Sequence, residues 1–144
     1  MIDMEIERLI PHRGRMKLID TIVEVDDLAA VTESTVTREW PLQEGNTVNP
    51  LVLIELIAQT SAVTIGWKKL QEGGDADSGK GWLVGIKAAD FPDVEIPVNA
   101  CIRTRSEINF SMDNYTEMRG ISTIGSDRIG EATLQVMRAE KEDA

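Results

Sequence analysis

Histidine occurs once in this chain, as His12, and cysteine once, as Cys101. A single thiol closes no internal disulfide and builds no cysteine zinc site. One histidine removes most histidine-rich metal sites and any mechanism that needs two imidazoles. No metal site and no cofactor is therefore expected. Basic residues are also in deficit: 15 Lys and Arg stand against 25 Asp and Glu, a net charge of −10. Such a surface attracts neither nucleic acid nor anionic lipid over long range, so neither is expected as a partner. The opening residues Met1-Ile2-Asp3-Met4-Glu5 lack the basic region and apolar run of a signal peptide, and a cytoplasmic protein is expected. At 144 residues and 42% hydrophobic, the chain suits one domain, 1–144, with one core.

What is there falls into alternating patterns. The segment from Met4 to Ile10 has apolar positions near helical spacing and stops at Pro11, which predicts a short amphipathic helix. Leu18 to Val25 and Val31 to Thr37 are rich in β-branched residues, and the Asp26-Asp27 interval between them predicts a hairpin. From about Asn49 to Lys69 the chain is apolar on nearly every side, with Asn49 as an N-cap and Pro50 in the first turn. That pattern predicts a long helix buried all round. Glu55, Gln59, Thr60, Ser61 and Thr64 interrupt it too often for a membrane span.

The polar run from Gly73 to Gly81 reads as an exposed connection. Its Gly74 to Lys80 spacing mimics a phosphate-binding loop, but Gly81 stands where Ser or Thr is needed and the loop runs from helix to strand, so ATP is not expected. Trp82 to Lys87, Cys101 to Phe110, Tyr115 to Ile124 and Ile129 to Met137 all have strand composition. Along the second of these, Ile102, Thr104, Ser106, Ile108 and Phe110 share one face and Arg103, Arg105, Glu107 and Asn109 the other. Cys101 is expected to be a small buried or half-buried strand residue. The order is helix, two strands, one long helix, four strands. It predicts an α+β protein in which an antiparallel sheet of about six strands wraps a long central helix, the hot-dog arrangement.

Three blocks of residues carry a resemblance to a known family. Leu9-Ile10-Pro11-His12-Arg13-Gly14-Arg15-Met16-Lys17-Leu18-Ile19-Asp20 precedes the first strand. Asn49-Pro50-Leu51-Val52-Leu53-Ile54-Glu55-Leu56-Ile57-Ala58-Gln59 starts a helix with a proline and sets a glutamate four residues ahead of a glutamine. Gly81-Trp82-Leu83-Val84-Gly85-Ile86-Lys87 follows the helix, with Glu131-Ala132-Thr133-Leu134 in the last expected strand. Together they resemble the FabZ and FabA type of 3-hydroxyacyl-acyl-carrier-protein dehydratase, and especially its divergent ApeP-like members from aryl polyene clusters. The resemblance implies a hot-dog fold, an acyl thioester substrate on acyl carrier protein or CoA, fatty-acid or polyketide-type metabolism, and active sites between the subunits of a homodimer. It gives Glu55 the place of the helix carboxylate, and His12 and Arg13 a structural role. The family's catalytic histidine lies just upstream of the helix, where this chain reads Gln43-Glu44-Gly45-Asn46-Thr47-Val48 without one.

Dehydration of a 3-hydroxyacyl thioester needs a base for the α-proton, an acid for the departing hydroxyl and donors for the enolate-like oxygen. Glu55 supplies one of the first two, and burial in an apolar helix is expected to raise its pKa. Asn46, Glu44 or a residue of a partner subunit is a candidate for the missing group. The backbone of Pro50, Leu51 and Val52 at the helix N-terminus is the candidate cradle for the thioester oxygen, and Gln59, one turn beyond Glu55, the residue that holds its carboxyl group. Three functions fit these residues: a dehydratase-like enzyme, a thioesterase that activates water with Glu55 alone, or a non-catalytic acyl-binding or dimer-partner subunit. In the blandest reading, Glu55 and Gln59 only satisfy each other. A basic patch beside the site, drawn from Lys68, Lys69, Lys80, Lys87, Arg103 and Arg105, is what an acidic carrier protein would require.

Overall fold

The computed structural model describes residues 6–10, 13–73, 81–93 and 95–138, with the side chains of Glu7, Gly81, Trp82 and Arg138 left aside. The loop with the phosphate-loop spacing falls almost wholly outside these residues, and so does His12.

Strands β1 (Thr21–Val25) and β2 (Ala29–Thr35) form the expected antiparallel hairpin. Its turn is built by Asp26, whose Oδ1 accepts from the Leu28 and Ala29 amides at 2.8 and 2.9 Å while its own N–H donates to the Ala29 carbonyl. Two short strands follow, β3 (Gln43–Glu44) and β4 (Thr47–Val48), turned by Gly45 at φ +62°. Helix α1 runs from Val52 to Gln71. After it come β5 (Gly81–Asp90), β6 (Ile96–Pro97), β7 (Cys101–Met112), β8 (Tyr115–Ile124) and β9 (Asp127–Arg138). Six of the strands make one antiparallel sheet in the order β1-β2-β7-β8-β9-β5, and β3-β4-β6 make a second, three-stranded one. The small sheet is absent from the sequence-based expectation, because two-residue strands are too short to show alternation.

The large sheet curls around α1, which packs on β7, β2, β8 and β9. Leu53, Leu56, Ile57 and Val63 are fully buried there, against Ile22, Ile102, Met118 and Leu134 of the sheet. Two glycines let backbone and helix approach closely. A Cβ at Gly120 would lie 2.3 Å from Ile57 Cγ2, and one at Gly66 2.3 Å from the Leu9 carbonyl oxygen. The second approach is where the N-terminal segment lies against the helix. That segment is a single 3-10 turn, Ile6–Arg8, in place of the expected helix to Ile10: the Leu9 and Ile10 amides both reach back to the Ile6 carbonyl, and burial of Ile6, Leu9 and Ile10 fixes it.

Three further expectations are corrected. The helix is not buried all round: Ile54, Glu55, Ala58, Ala62 and Ile65 form a half-exposed stripe, because the sheet covers only one side of the cylinder. The inward alternation of β7 holds through Ile102, Thr104 and Ser106, but an irregularity in the β7–β8 register between Ile108 and Phe110 leaves Phe110 exposed. Cys101 is exposed, because it stands on the outward face of β7 with Arg103 and Arg105. Trp40 is buried in the core.

Candidate active site

The first turn of α1 is set by Asn49 and Pro50. Asn49 Oδ1 accepts from the Leu51 amide at 2.9 Å, and the Asn49 carbonyl accepts from Val52 N–H at 3.0 Å. The side-chain cap expected of Asn49 is thus present just ahead of the regular helix. The same bonds occupy both amides proposed as a cradle for a thioester oxygen. Pro50 has no N–H, and its carbonyl accepts from Leu53. Leu51 itself is exposed, while the Val52 side chain is buried.

One turn further, Glu55 is half-buried. Gln59 is fully buried and all three of its described bonds are specific. Its Nε2 donates to Glu55 Oε1 at 2.9 Å and to the Met16 carbonyl, and its Oε1 accepts from Leu18 N–H at 2.9 Å. Helix periodicity brings the two side chains together, as expected of positions i and i+4. The tie to Met16 and Leu18, over forty residues away in the chain, was not legible in the sequence. It makes Gln59 the joint between the N-terminal segment and the carboxylate. Arg13 braces the same segment by donating to the Ile10 carbonyl at 2.6 Å.

The Gln43 to Val48 loop is the β3–β4 hairpin. Arg38 closes it, donating to the Gly45 carbonyl at 3.0 Å and to Asn46 Oδ1 at 2.6 Å. Asn46 and Glu44 are exposed. The amide of Asn46 is therefore held by Arg38, on an element separate from the one that holds Glu55.

Further along α1, Thr60 and Ser61 are tied to the sheet, while the hydroxyl of Thr64, one turn on, is buried with no hydrogen-bond partner among the described residues. Thr60 shares a 2.9 Å hydrogen bond with Thr32, and Ser61 a 2.6 Å one with Ser106, while both hydroxyls also reach back one turn to helix carbonyls. Of the expected basic patch, Lys68 and Lys69 lie in the last turn of α1, Lys80 lies outside the described residues, and the other three face carboxylates. Lys87 pairs with Glu117, Arg103 with Glu33 and Arg105 with Glu107, on the outer face of the sheet. Slight burial, and then the Glu33 carboxylate beside it, raise the pKa of the Cys101 thiol on that face, which disfavours the thiolate. Among the described residues no group of three or more His, Cys, Asp and Glu is placed to hold a metal ion, and no helix is long and apolar enough to cross a membrane.

A six-stranded antiparallel sheet wrapped around one long helix that carries a glutamate in its first turns defines a hot-dog protein. The profile of the ApeP-like family, described as ApeP dehydratase, matches residues 4–144. The chain belongs to that family. It is also 33% identical to the 3-hydroxyacyl-[acyl-carrier-protein] dehydratase FabZ of Ligilactobacillus salivarius, over 95% of this chain and 99% of the relative. Among solved structures it is similar in fold to the dehydratase heterocomplex ApeI:P from Xenorhabdus doucetiae, with a TM-score of 0.85 at 18% identity, covering 96% of this chain and 93% of that one. A hypothetical thioesterase with coenzyme A from Streptococcus pneumoniae shares the fold at a TM-score of 0.66 and 12% identity, covering 83% and 84%.

Proposed function

We propose that this protein acts on 3-hydroxyacyl thioesters as the Glu55-bearing subunit of a dehydratase. The observation that carries the reading is the carboxyl group of Glu55, half-buried and held at Oε1 by a fully buried glutamine. A spacer at that position needs no carboxylate, since burying one costs several kcal/mol without partners. Glu55 acts as the acid toward the leaving hydroxyl or the base toward the α-proton, and a second chain supplies the other group. Two features support assembly. Strand β5 is an edge of the sheet with Leu83, Val84 and Ile86 about half exposed, and the half-exposed stripe of α1 runs beside β9, the strand next to it. A homodimer brings the β3–β4 hairpin of the partner, with Asn46 and Glu44, toward Glu55. A complex with a different chain, as in the heterocomplex named for the Xenorhabdus relative, brings a different residue set. The carrier of the acyl group is acyl carrier protein or CoA, and the setting is the cytoplasm, in fatty-acid or polyketide-type metabolism.

Thioester hydrolysis is the second reading, favoured by the single carboxylate and the absence of a histidine beyond His12. It asks more of the helix N-terminus. A carbonyl oxygen polarised there must displace the Asn49 side chain from the Leu51 amide. The deciding experiment incubates the purified protein with 3-hydroxyacyl, enoyl and saturated acyl thioesters on CoA and on carrier protein, following hydration and free thiol separately. Reversible hydration lost in Glu55→Gln supports the dehydratase. Thiol release lost in that variant replaces it with the thioesterase. Acyl binding without turnover, alone and with a candidate partner chain, leaves a non-catalytic subunit.

A further inference from the structure

We propose that the turn Arg13–Lys17, exposed from Arg13 to Met16, is the docking surface for an acidic acyl carrier protein, and that Gln59 ties this surface to Glu55. The inference rests on the reading of Glu55 as the reactive carboxylate. Between Arg8 and Ile19 there are four Arg or Lys residues and no Asp or Glu, in a chain of net charge −10. The charge is also presented. Arg13, Gly14, Arg15 and Met16 are all exposed, with Gly14 at φ +57° turning the backbone outward and a 3-10 turn over Gly14–Met16. A run of exposed positive charge on a chain otherwise acidic complements the acidic surface of a carrier protein.

Position gives the surface its meaning. The Met16 carbonyl and the Leu18 amide are both bonded to Gln59, whose Nε2 also holds Glu55 Oε1. A partner seated on Arg15 thereby contacts the turn that Gln59 ties to the carboxylate. The rim also offers apolar borders for a pantetheine arm. Met16 is 56% exposed, and Leu51, one turn before Glu55, is 54% exposed.

The test compares two exposed charge reversals of equal size, Arg15→Glu and Arg105→Glu, in a Glu55→Gln background so that binding is read without turnover. The probes are an acyl carrier protein bearing an acyl-pantetheine thioester and the same acyl group on CoA. Arg15→Glu is expected to weaken carrier binding about tenfold at low salt and to flatten its salt dependence, while Arg105→Glu changes it less than about twofold. Binding of the CoA thioester is expected to respond equally to both. Equal losses of carrier binding in the two variants, or a CoA loss as large as the carrier loss in Arg15→Glu, would overturn the proposal. Failure of the Glu55 reading shows separately, as turnover in the parent chain that Glu55→Gln leaves intact.

Discussion

Helix α1 carries two polar clusters, and they are built differently. Thr60 and Ser61 meet hydroxyls of the sheet, Thr32 and Ser106, and each also bonds to a carbonyl one turn back. Every group there is buried and the cluster is closed. Glu55 and Gln59, one turn earlier, form an open cluster: the glutamine is fully buried and bonded to the N-terminal segment, and the carboxyl group it holds is half-exposed. A closed cluster of hydroxyls stabilises the packing of helix on sheet. An open one, with its ionisable group at the rim, is the arrangement that the proposed role of Glu55 requires.

The comparison can be broken by substitution. Glu55→Gln keeps shape and hydrogen bonding but removes proton transfer, and turnover is expected to fall by about a hundred- to ten-thousand-fold with little change in melting temperature. A variant that retains full activity removes Glu55 from the reaction. Gln59→Leu leaves the Leu18 amide and Met16 carbonyl without their partner, and is expected to cost about 2–3 kcal/mol in chemical denaturation as well as most of the activity. Ser61→Ala orphans Ser106 Oγ and is expected to cost about 1–2 kcal/mol while kcat stays within about twofold. A large kinetic loss there would mean that the closed cluster is not merely structural.

The smallest effect is a pH dependence outside both clusters. The backbone amides of Leu28 and then Ala29 hold the Asp26 carboxyl below its ordinary pKa. A depressed carboxylate contributes stability above its unfolded pKa and loses it as pH falls through the folded one. Stability of the parent chain should therefore fall between about pH 4 and the folded-state pKa of Asp26 by slightly more than that of Asp26→Asn, since the group is largely exposed and screened by solvent. Urea midpoints at pH 6 and pH 3 measure the difference, and identical shifts in the two chains would remove Asp26 from the account.

Much of this architecture was readable from residue order. The β-branched alternation of Cys101 to Phe110, Tyr115 to Ile124 and Ile129 to Met137 matches β7, β8 and β9, with ends moved by one or two residues. The Glu55–Gln59 pair followed from helical spacing alone. Exposure was harder to read. Cys101 has the composition of an inward residue and the register of an outward one, and register is fixed by pairing, here Cys101 opposite Thr35. The pairing of Lys87 and Arg103 likewise depends on which carboxylates the neighbouring strands set beside them.

By itself, then, the sequence determined the elements, the scaffold and the presence of one carboxylate in the central helix, because hydrophobic period and turn chemistry are local properties. The tertiary structure decided what surrounds that carboxylate. It joined Gln59 to Met16 and Leu18, filled the Leu51 and Val52 amides with Asn49, and tied Asn46 to Arg38. The Gln59 and Arg38 bonds join residues that only the folding of the chain brings near, and in the first turn the choice of partner lies in side-chain geometry that residue types alone leave open.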